Sequence, residues 1–513
     1  HTANDNMYHL DWNSLMHQGS YLLPLIHYFA DADLSQTKAE TDDVYVNLPF
    51  IKMISYPFSW ILPMLILGAF LFFLLIFYGF HKRKLNGKTI ALGFVPFLIS
   101  LVACGLVGFF GWKLILLLYP QYAEIQQGFT YNGHWYIAFF VFLSMAITFA
   151  VYKKFTKNFS ETSFYIAPLF FWLLINLAVF IILKGAAFFI IPVFFGLVSL
   201  FVMLRQERPN LLAMALLAVP ALFIFAPLIQ FFPVGLGLKM LVISCVFTVL
   251  LFALLWPVFG YYKMKGLLSA LCLLLAVLFF GIAHSKSDFS EERRKPNSLV
   301  YYKDADANKS YWLTYDTQVD EWNQNYLGEN PKSAANILDA VSYSKYGINF
   351  SYAAPAPEKN IADFEIILET DSIAGNSRNV ELIIVPKRRV NKIELYNESN
   401  TVFKSLEFNG EIMPVSKLEN NYRGTKNTAL INYYVSENDS LKVKFSVEEN
   451  ATVAFKVMEY SFDLMTHPQF DIAKRPDYTM PKPFVITDAV MVKRTFLVDS
   501  QLRKARDTIK TNL

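Results

Sequence analysis

The sequence predicts a multi-domain membrane protein: a polytopic α-helical bundle of about eight spans followed by an all-β, sandwich-like extracytoplasmic domain. Three observations carry this. Apolar residues saturate roughly residues 57–283 and thin out on either side. There they form runs long enough to cross a hydrocarbon core of roughly 30 Å, which takes about 20 residues of helix. Beyond about residue 288 the composition turns polar and the hydrophobic period drops to two, that of a half-buried strand. Composition agrees, since 54% of the 513 residues are hydrophobic and only 17% charged, too apolar for a soluble chain of this length. The formal net charge of +4 is not gathered into one basic face. Membrane lipid is therefore an expected partner and nucleic acid is not.

The first segment, residues 1–48, opens with His1-Thr2-Ala3-Asn4-Asp5, an H-T-x-x-D motif. A short spacer leads into an amphipathic helix with Trp12, Leu15, Met16, Leu22, Leu23, Ile26 and Phe29 on one face. Asp11 or Asn13 is placed to cap its start by accepting from first-turn N–H groups. Pro24 lies inside this helix and puts its straightness in question. No initiator Met or signal peptide stands at position 1, which reads as truncation or cleavage.

The second segment, residues 49–285, holds the spans, expected at 57–80, 89–112, 134–152, 164–183, 187–204, 211–231, 240–260 and 267–284. Lys184-Gly185 must form a tight turn between the fourth and fifth. Basic residues follow the odd-numbered spans: Lys82, Arg83, Lys84 and Lys88; Lys153, Lys154 and Lys157; Arg205 and Arg208; Lys263 and Lys265. Short cytoplasmic loops are enriched in Lys and Arg, so both flanking segments are expected on the non-cytoplasmic side. Lys286, Arg293, Arg294 and Lys295 run against that assignment, but large domains translocate largely regardless of charge.

No Asp or Glu falls near the centre of an expected span, so no proton pathway is read there. Asn176 and Gln230 are expected to join helices by hydrogen bonding. Tyr56, Trp60, Trp112, Tyr119, Trp135, Tyr136, Tyr261 and Tyr262 crowd the span ends, as interfacial aromatic rings do. Cys104, Cys245 and Cys272 sit in apolar runs and read as small hydrophobic residues.

The third segment, residues 286–513, carries nine expected strands. They are 298–303, 311–315, 363–369, 379–385, 392–396, 402–408, 429–435, 441–447 and 452–458, with turn signals such as Asn409-Gly410 between them. They suggest an antiparallel sandwich. A short helix is expected near Lys332–Asp339, and the proline-bearing tail from Arg475 is assigned no fold. The aromatic stretch Tyr311–Trp322 reads as sandwich core packing ahead of its alternative, a carbohydrate or peptide contact surface, and His467 has no ligand partner nearby in sequence. The absence of cysteine here fits a bacterial envelope, hence the inner membrane, better than a eukaryotic endoplasmic reticulum or vacuole.

The order of motif, helix, many spans and β-rich tail resembles the membrane-anchored branch of the M28 family of zinc metallopeptidases, the endoplasmic reticulum metallopeptidase and vacuolar membrane protease type. That resemblance makes His1 the last zinc ligand and the following helix the one that closes the peptidase domain. It further implies two zinc ions, a bridging water, a peptide substrate, and a His, Asp and Glu ligand set with a general-base Glu upstream of His1. No catalytic residue is then expected in this chain, and by itself the polypeptide should not hydrolyse peptides. The competing reading is a non-enzymatic membrane scaffold or transporter that presents the β-domain outside the cell.

Overall fold

The computed structural model describes residues 2–48, 52–155, 160–336, 347–414, 429–435 and 440–499. The chain divides into two compact units, one spanning Asp5–Asp288 and the other running from Phe289 onward. The first begins with a 3-10 turn at Met7–His9 and helix α1, Trp12–Ala30, which continues through Pro24. A hairpin of β1 (Asp43–Leu48) and β2 (Lys52–Pro57) follows, across the boundary placed at 48/49. It is not among the elements expected from the sequence. Val44 and Tyr56 pack with Ile61 and Ala187 at the mouth of the bundle.

Helices α2 (Ile61–His81), α3 (Gly87–Leu118), α4 (Gly133–Phe155) and α5 (Glu161–Ile182) come next. Then come α6 (Ile190–Arg205), α7 (Leu211–Leu236), α8 (Leu241–Leu254), α9 (Trp256–Phe259) and α10 (Lys265–Ser285). Among the described residues, seven helices are long and apolar enough to cross a membrane, taking α2 from Phe58 and α6 from Lys184. This is a membrane-embedded helical unit. Its outer face is apolar, with Phe77 and Leu117 largely exposed.

The expected span at 240–260 is corrected. Its helix α8 has 14 residues, ends at Leu254 with Leu255 as its cap, and gives way to the short α9, which has Pro257 in its first turn. Proline lacks the N–H that continuation would require and is tolerated at a helix start. Most of α8 is buried, packed against α3, α4 and α7. Gly108 on α3 allows this, because a Cβ there would come within 2.6 Å of Val242 Cα. Close helix approach through small residues is the usual packing route where lipid removes the hydrophobic drive.

The two ends of the bundle differ. At one, Lys84 pairs with Glu207 at 3.2 Å and Lys265 with Glu161 at 3.5 Å, which gathers the basic loops. At the other, Asn132 Nδ2 donates to Tyr122 Oη and to the Ala283 carbonyl, both at 2.8 Å. Tyr119 Oη lies 2.8 Å from His284 Nδ1, and Leu238 N–H donates to the Gly128 carbonyl at 2.7 Å. These contacts lock the end where α10 finishes.

In the second unit, strands β3 (Lys295–Asn297), β4 (Val300–Asp304) and β5 (Lys309–Thr314) precede the short helix α11, Glu321–Leu327. Asp320 caps α11 by accepting from Asn323 N–H at 3.0 Å. Then come β6 (Lys332–Ser333), β7 (Tyr352–Pro355), β8 (Glu365–Ala374), β9 (Ser377–Val385) and β10 (Lys392–Asn397). β11 (Ser405–Phe408), β12 (Glu411–Ile412), β13 (Ile431–Tyr434) and β14 (Leu441–Glu448) follow. β15 (Ala454–Ser461), β16 (Thr479–Pro481) and β17 (Ala489–Leu497) end the series.

An eight-stranded sheet has the order β13-β10-β15-β17-β4-β5-β7-β6, and a five-stranded sheet the order β12-β11-β14-β9-β8. All nine expected strands fall on observed ones. Three features correct the all-antiparallel, all-β expectation. β17 runs parallel to β4, β16 runs parallel to β3, and α11 interrupts the strands. The helix expected at 332–339 is strand β6 and a 3-10 turn at Ala334–Asn336, the remainder lying outside the described residues.

One face of the larger sheet serves two cores. Ile393, Leu395, Phe455, Val457 and Phe496 pack with Leu382, Val443 and Phe445 of the smaller sheet. Farther along the same face, Tyr301, Trp312, Val490 and Val492 pack with Trp322 and Leu327 of α11. Trp312 and Trp322 are therefore core residues, as the sequence suggested.

Candidate functional site

The predicted metal ligand, His1, lies outside the described residues. Its motif continues into a capped turn, in which Asn6 Oδ1 accepts from Tyr8 N–H at 3.0 Å and His9 N–H at 3.3 Å. Asp11 caps α1, accepting from Asn13 N–H at 3.0 Å and from Ser14 Oγ at 2.7 Å. The Ser14 hydroxyl and then the Asn13 N–H hold the Asp11 carboxyl below the usual carboxylate range. No residue of α1 is buried. Trp12, Met16, Leu22, Leu23 and Ile26, most of its apolar stripe, are each more than half exposed.

Zinc usually takes three or four ligands. Among the described residues, no three His, Cys, Asp or Glu side chains come together as a group that could hold a metal. His9 Nδ1 is engaged by Asn6 at 2.9 Å and His17 Nε2 by Tyr21 at 2.9 Å. The described part of this chain does not form a zinc site by itself.

The polar residues singled out in the spans have structural partners. Gln230 Nε2 reaches His134 Nδ1 at 3.5 Å, joining α7 to α4. Asn176 instead donates within its own helix, to the Trp172 carbonyl at 2.8 Å. Cys104, Cys245 and Cys272 are buried and unpaired as thiols, as expected of small apolar residues.

The β-rich unit buries several charges. Glu394 accepts from Lys392, from Tyr396 Oη at 2.7 Å and from Tyr460 Oη at 2.5 Å. Asp316 pairs with Lys482 at 2.7 Å and also accepts from Asn323 Nδ2 and Ser298 Oγ. Glu459 lies where the two cores meet, in a row with Ile393 and Val492, 4.0 Å from Arg388. Burial pushes its carboxyl up to about 7, against the pull of Arg388. His467 Nδ1 accepts from the Gln469 N–H and its ring contacts Phe470, and among the described residues it joins no group of three that could hold a metal.

One arrangement was not legible as a site. Lys153, Arg208, Lys263 and Lys265 serve in the sequence as topology markers, yet they line a single cavity together with Glu161. A lone carboxylate at the start of a span, among basic loops, was the available signal. No family model, no curated protein and no solved structure matches the chain.

Proposed function

We propose that this chain is the membrane-embedded, C-terminal portion of a zinc-dependent M28-type peptidase acting on the non-cytoplasmic side, with His1 as one metal ligand. The remaining ligands and the general base would come from residues N-terminal to His1. The observation that carries this reading is α1: directly after H-T-x-x-D stands a 19-residue helix whose apolar stripe no described residue covers. A stripe of that width costs free energy in water unless another surface buries it. A peptidase domain packed against α1 supplies that surface. The bundle supports the same sidedness, because the basic loops share one end and the chain leaves α10 at the other.

The test is to extend the reading frame upstream of the His1 codon and purify the encoded protein from membranes. Bound zinc with release of N-terminal residues from a peptide, both diminished by His1→Ala, is the expected result. An upstream region without His, Asp and Glu ligands, or a zinc-free purified protein, would overturn it in favour of a scaffold.

A further inference from the structure

The end of α4, the start of α5, the α6–α7 connection and the entry to α10 line an open cavity of about 840 Å3 at the basic end of the helical unit. Lys153 comes from the end of α4, Glu161 from the start of α5, Arg208 from the α6–α7 connection, and Lys263 and Lys265 from the entry to α10. Four cations thus face one carboxylate. Their roles divide by burial. The Lys265 side chain is only 7% exposed, and its ammonium donates to the Gly260 and Tyr262 carbonyls at 2.5 and 3.0 Å. It also lies 3.5 Å from Glu161 and 5.3 Å from the centre of the Trp256 ring. Lys265 and Glu161 therefore form a fixed wall.

Lys153, Arg208 and Lys263 are exposed, and among the described residues none has an acidic partner. The undescribed residues 156–159, Thr-Lys-Asn-Phe, contain no carboxylate to neutralise them. Three cations held at one mouth repel each other unless an anion joins them. The second carboxylate oxygen of Glu161 is itself buried, so it belongs to the wall and not to the open part of the cavity. Close by, Met264, Leu267 and Leu271 expose apolar side chains on the surface that faces lipid.

We propose that this cavity binds a phosphate-bearing anion, with an anionic lipid headgroup or a free glycerol phosphate as its two sources. Arg208, Lys263 and Lys153 take the phosphate oxygens, guanidinium and ammonium groups being the usual partners of phosphate. Basic pockets between membrane helices commonly hold anionic lipid headgroups, and the neighbouring apolar surface suits acyl chains. The site is independent of the peptidase reading.

The experiment uses the 513-residue chain in nanodiscs, with retained lipid counted by native mass spectrometry. Phosphatidylglycerol and phosphatidylcholine are the membrane probes, and sn-glycerol phosphate is the soluble one. Phosphatidylglycerol should be retained in preference to phosphatidylcholine. The Arg208→Gln/Lys263→Gln pair should weaken retention roughly thirtyfold, at about a factor of five per cation. Lys82→Gln/Lys88→Gln, equally basic but outside the cavity, should change little. If glycerol phosphate binds and phosphatidylglycerol does not, the phosphate site stands with a soluble source. Equal retention of phosphatidylcholine, equal loss in the control pair, or binding of neither phosphate probe would overturn the proposal.

Discussion

The helical unit and the β-rich unit both bury polar side chains, but of different kinds. Within the spans the buried groups are chiefly hydroxyls and amides satisfied by backbone carbonyls. Thr148 donates to Ser144, Thr248 to Ser244 and Asn176 to Trp172, each to a carbonyl one turn back. The β-rich unit buries whole charges: Lys392 with Glu394, Lys482 with Asp316, and Lys295 with Asp320. The difference follows from the solvent. A hydroxyl in a helix always has the carbonyl four residues back, whereas a charge in hydrocarbon costs several kcal/mol. In the sheets, water is close to every edge and strand carbonyls are committed to the ladder, so buried charges must satisfy one another. The Lys265–Glu161 pair fits the same rule, since it sits at a span end rather than at mid-depth.

Breaking a buried pair in the β-rich unit should give the largest effect. In Asp316→Ala, Lys482 stays buried without its carboxylate, and Asn323 Nδ2 and Ser298 lose an acceptor. The expected loss is about 3–5 kcal/mol, read as faster hydrogen exchange in β4 and β5. Replacing both partners together, as Asp316→Leu/Lys482→Met, should recover much of it. A single substitution costing less than about 1 kcal/mol would show that these charges are reached by water.

Glu459 gives the next largest effect, and its sign is definite. Its carboxyl titrates near 7 in the folded protein against an ordinary value of 4.5. Below 4.5 both states hold the proton, so the group contributes no pH dependence there. Between 4.5 and 7 the folded state keeps a proton that the unfolded chain has released, and stability falls as pH rises; above 7 it levels off. The total is on the order of 3 kcal/mol at about 1.4 kcal/mol per unit. Hydrogen exchange of β15 amides across this range should show the decline, and Glu459→Gln should flatten it. An unchanged slope in that variant would assign the dependence to other groups.

In the helical unit the vulnerable feature is close packing rather than charge. Gly108→Val places atoms where Val242 backbone already stands, 2.6 Å from the new Cβ. Overpacking of this kind costs about 1–3 kcal/mol. Thermal unfolding in detergent should register it, while Gly105→Val on the same helix, with its nearest neighbour at 3.8 Å, should cost less.

The same contrast explains which elements could be read from sequence. Long spans are legible because lipid demands long apolar runs, and strand β14 because it alternates buried and exposed residues along its length. Elements covered on all sides lose that signal. Helix α8 is apolar around most of its circumference, so the run from 240 to 260 did not reveal the break at Leu255. Strand β17, central in its sheet and reading Ala-Val-Met-Val, lacks a wet face at its start and lies in a tail marked by prolines. The basic cavity was hidden for another reason. Its cations come from helix ends and connections spread between residues 153 and 265, and each has a sufficient explanation in topology alone.

The smallest expected effect concerns α1. Its stripe is helical in period like a core helix, yet Leu22 is 58% and Ile26 63% exposed. Leu22→Gln/Ile26→Gln should therefore leave the unfolding of the 513-residue protein within about 0.5 kcal/mol of the parent, the ordinary range for surface changes. If a peptidase domain precedes His1, the same pair should cost about 2 kcal/mol or more in the protein that carries it, because each buried aliphatic side chain contributes about 1.5–3 kcal/mol. Differential unfolding of the two proteins measures the gap directly. A gap near zero would mean that α1 packs against no peptidase domain, and the resemblance carried by H-T-x-x-D would lose its structural support.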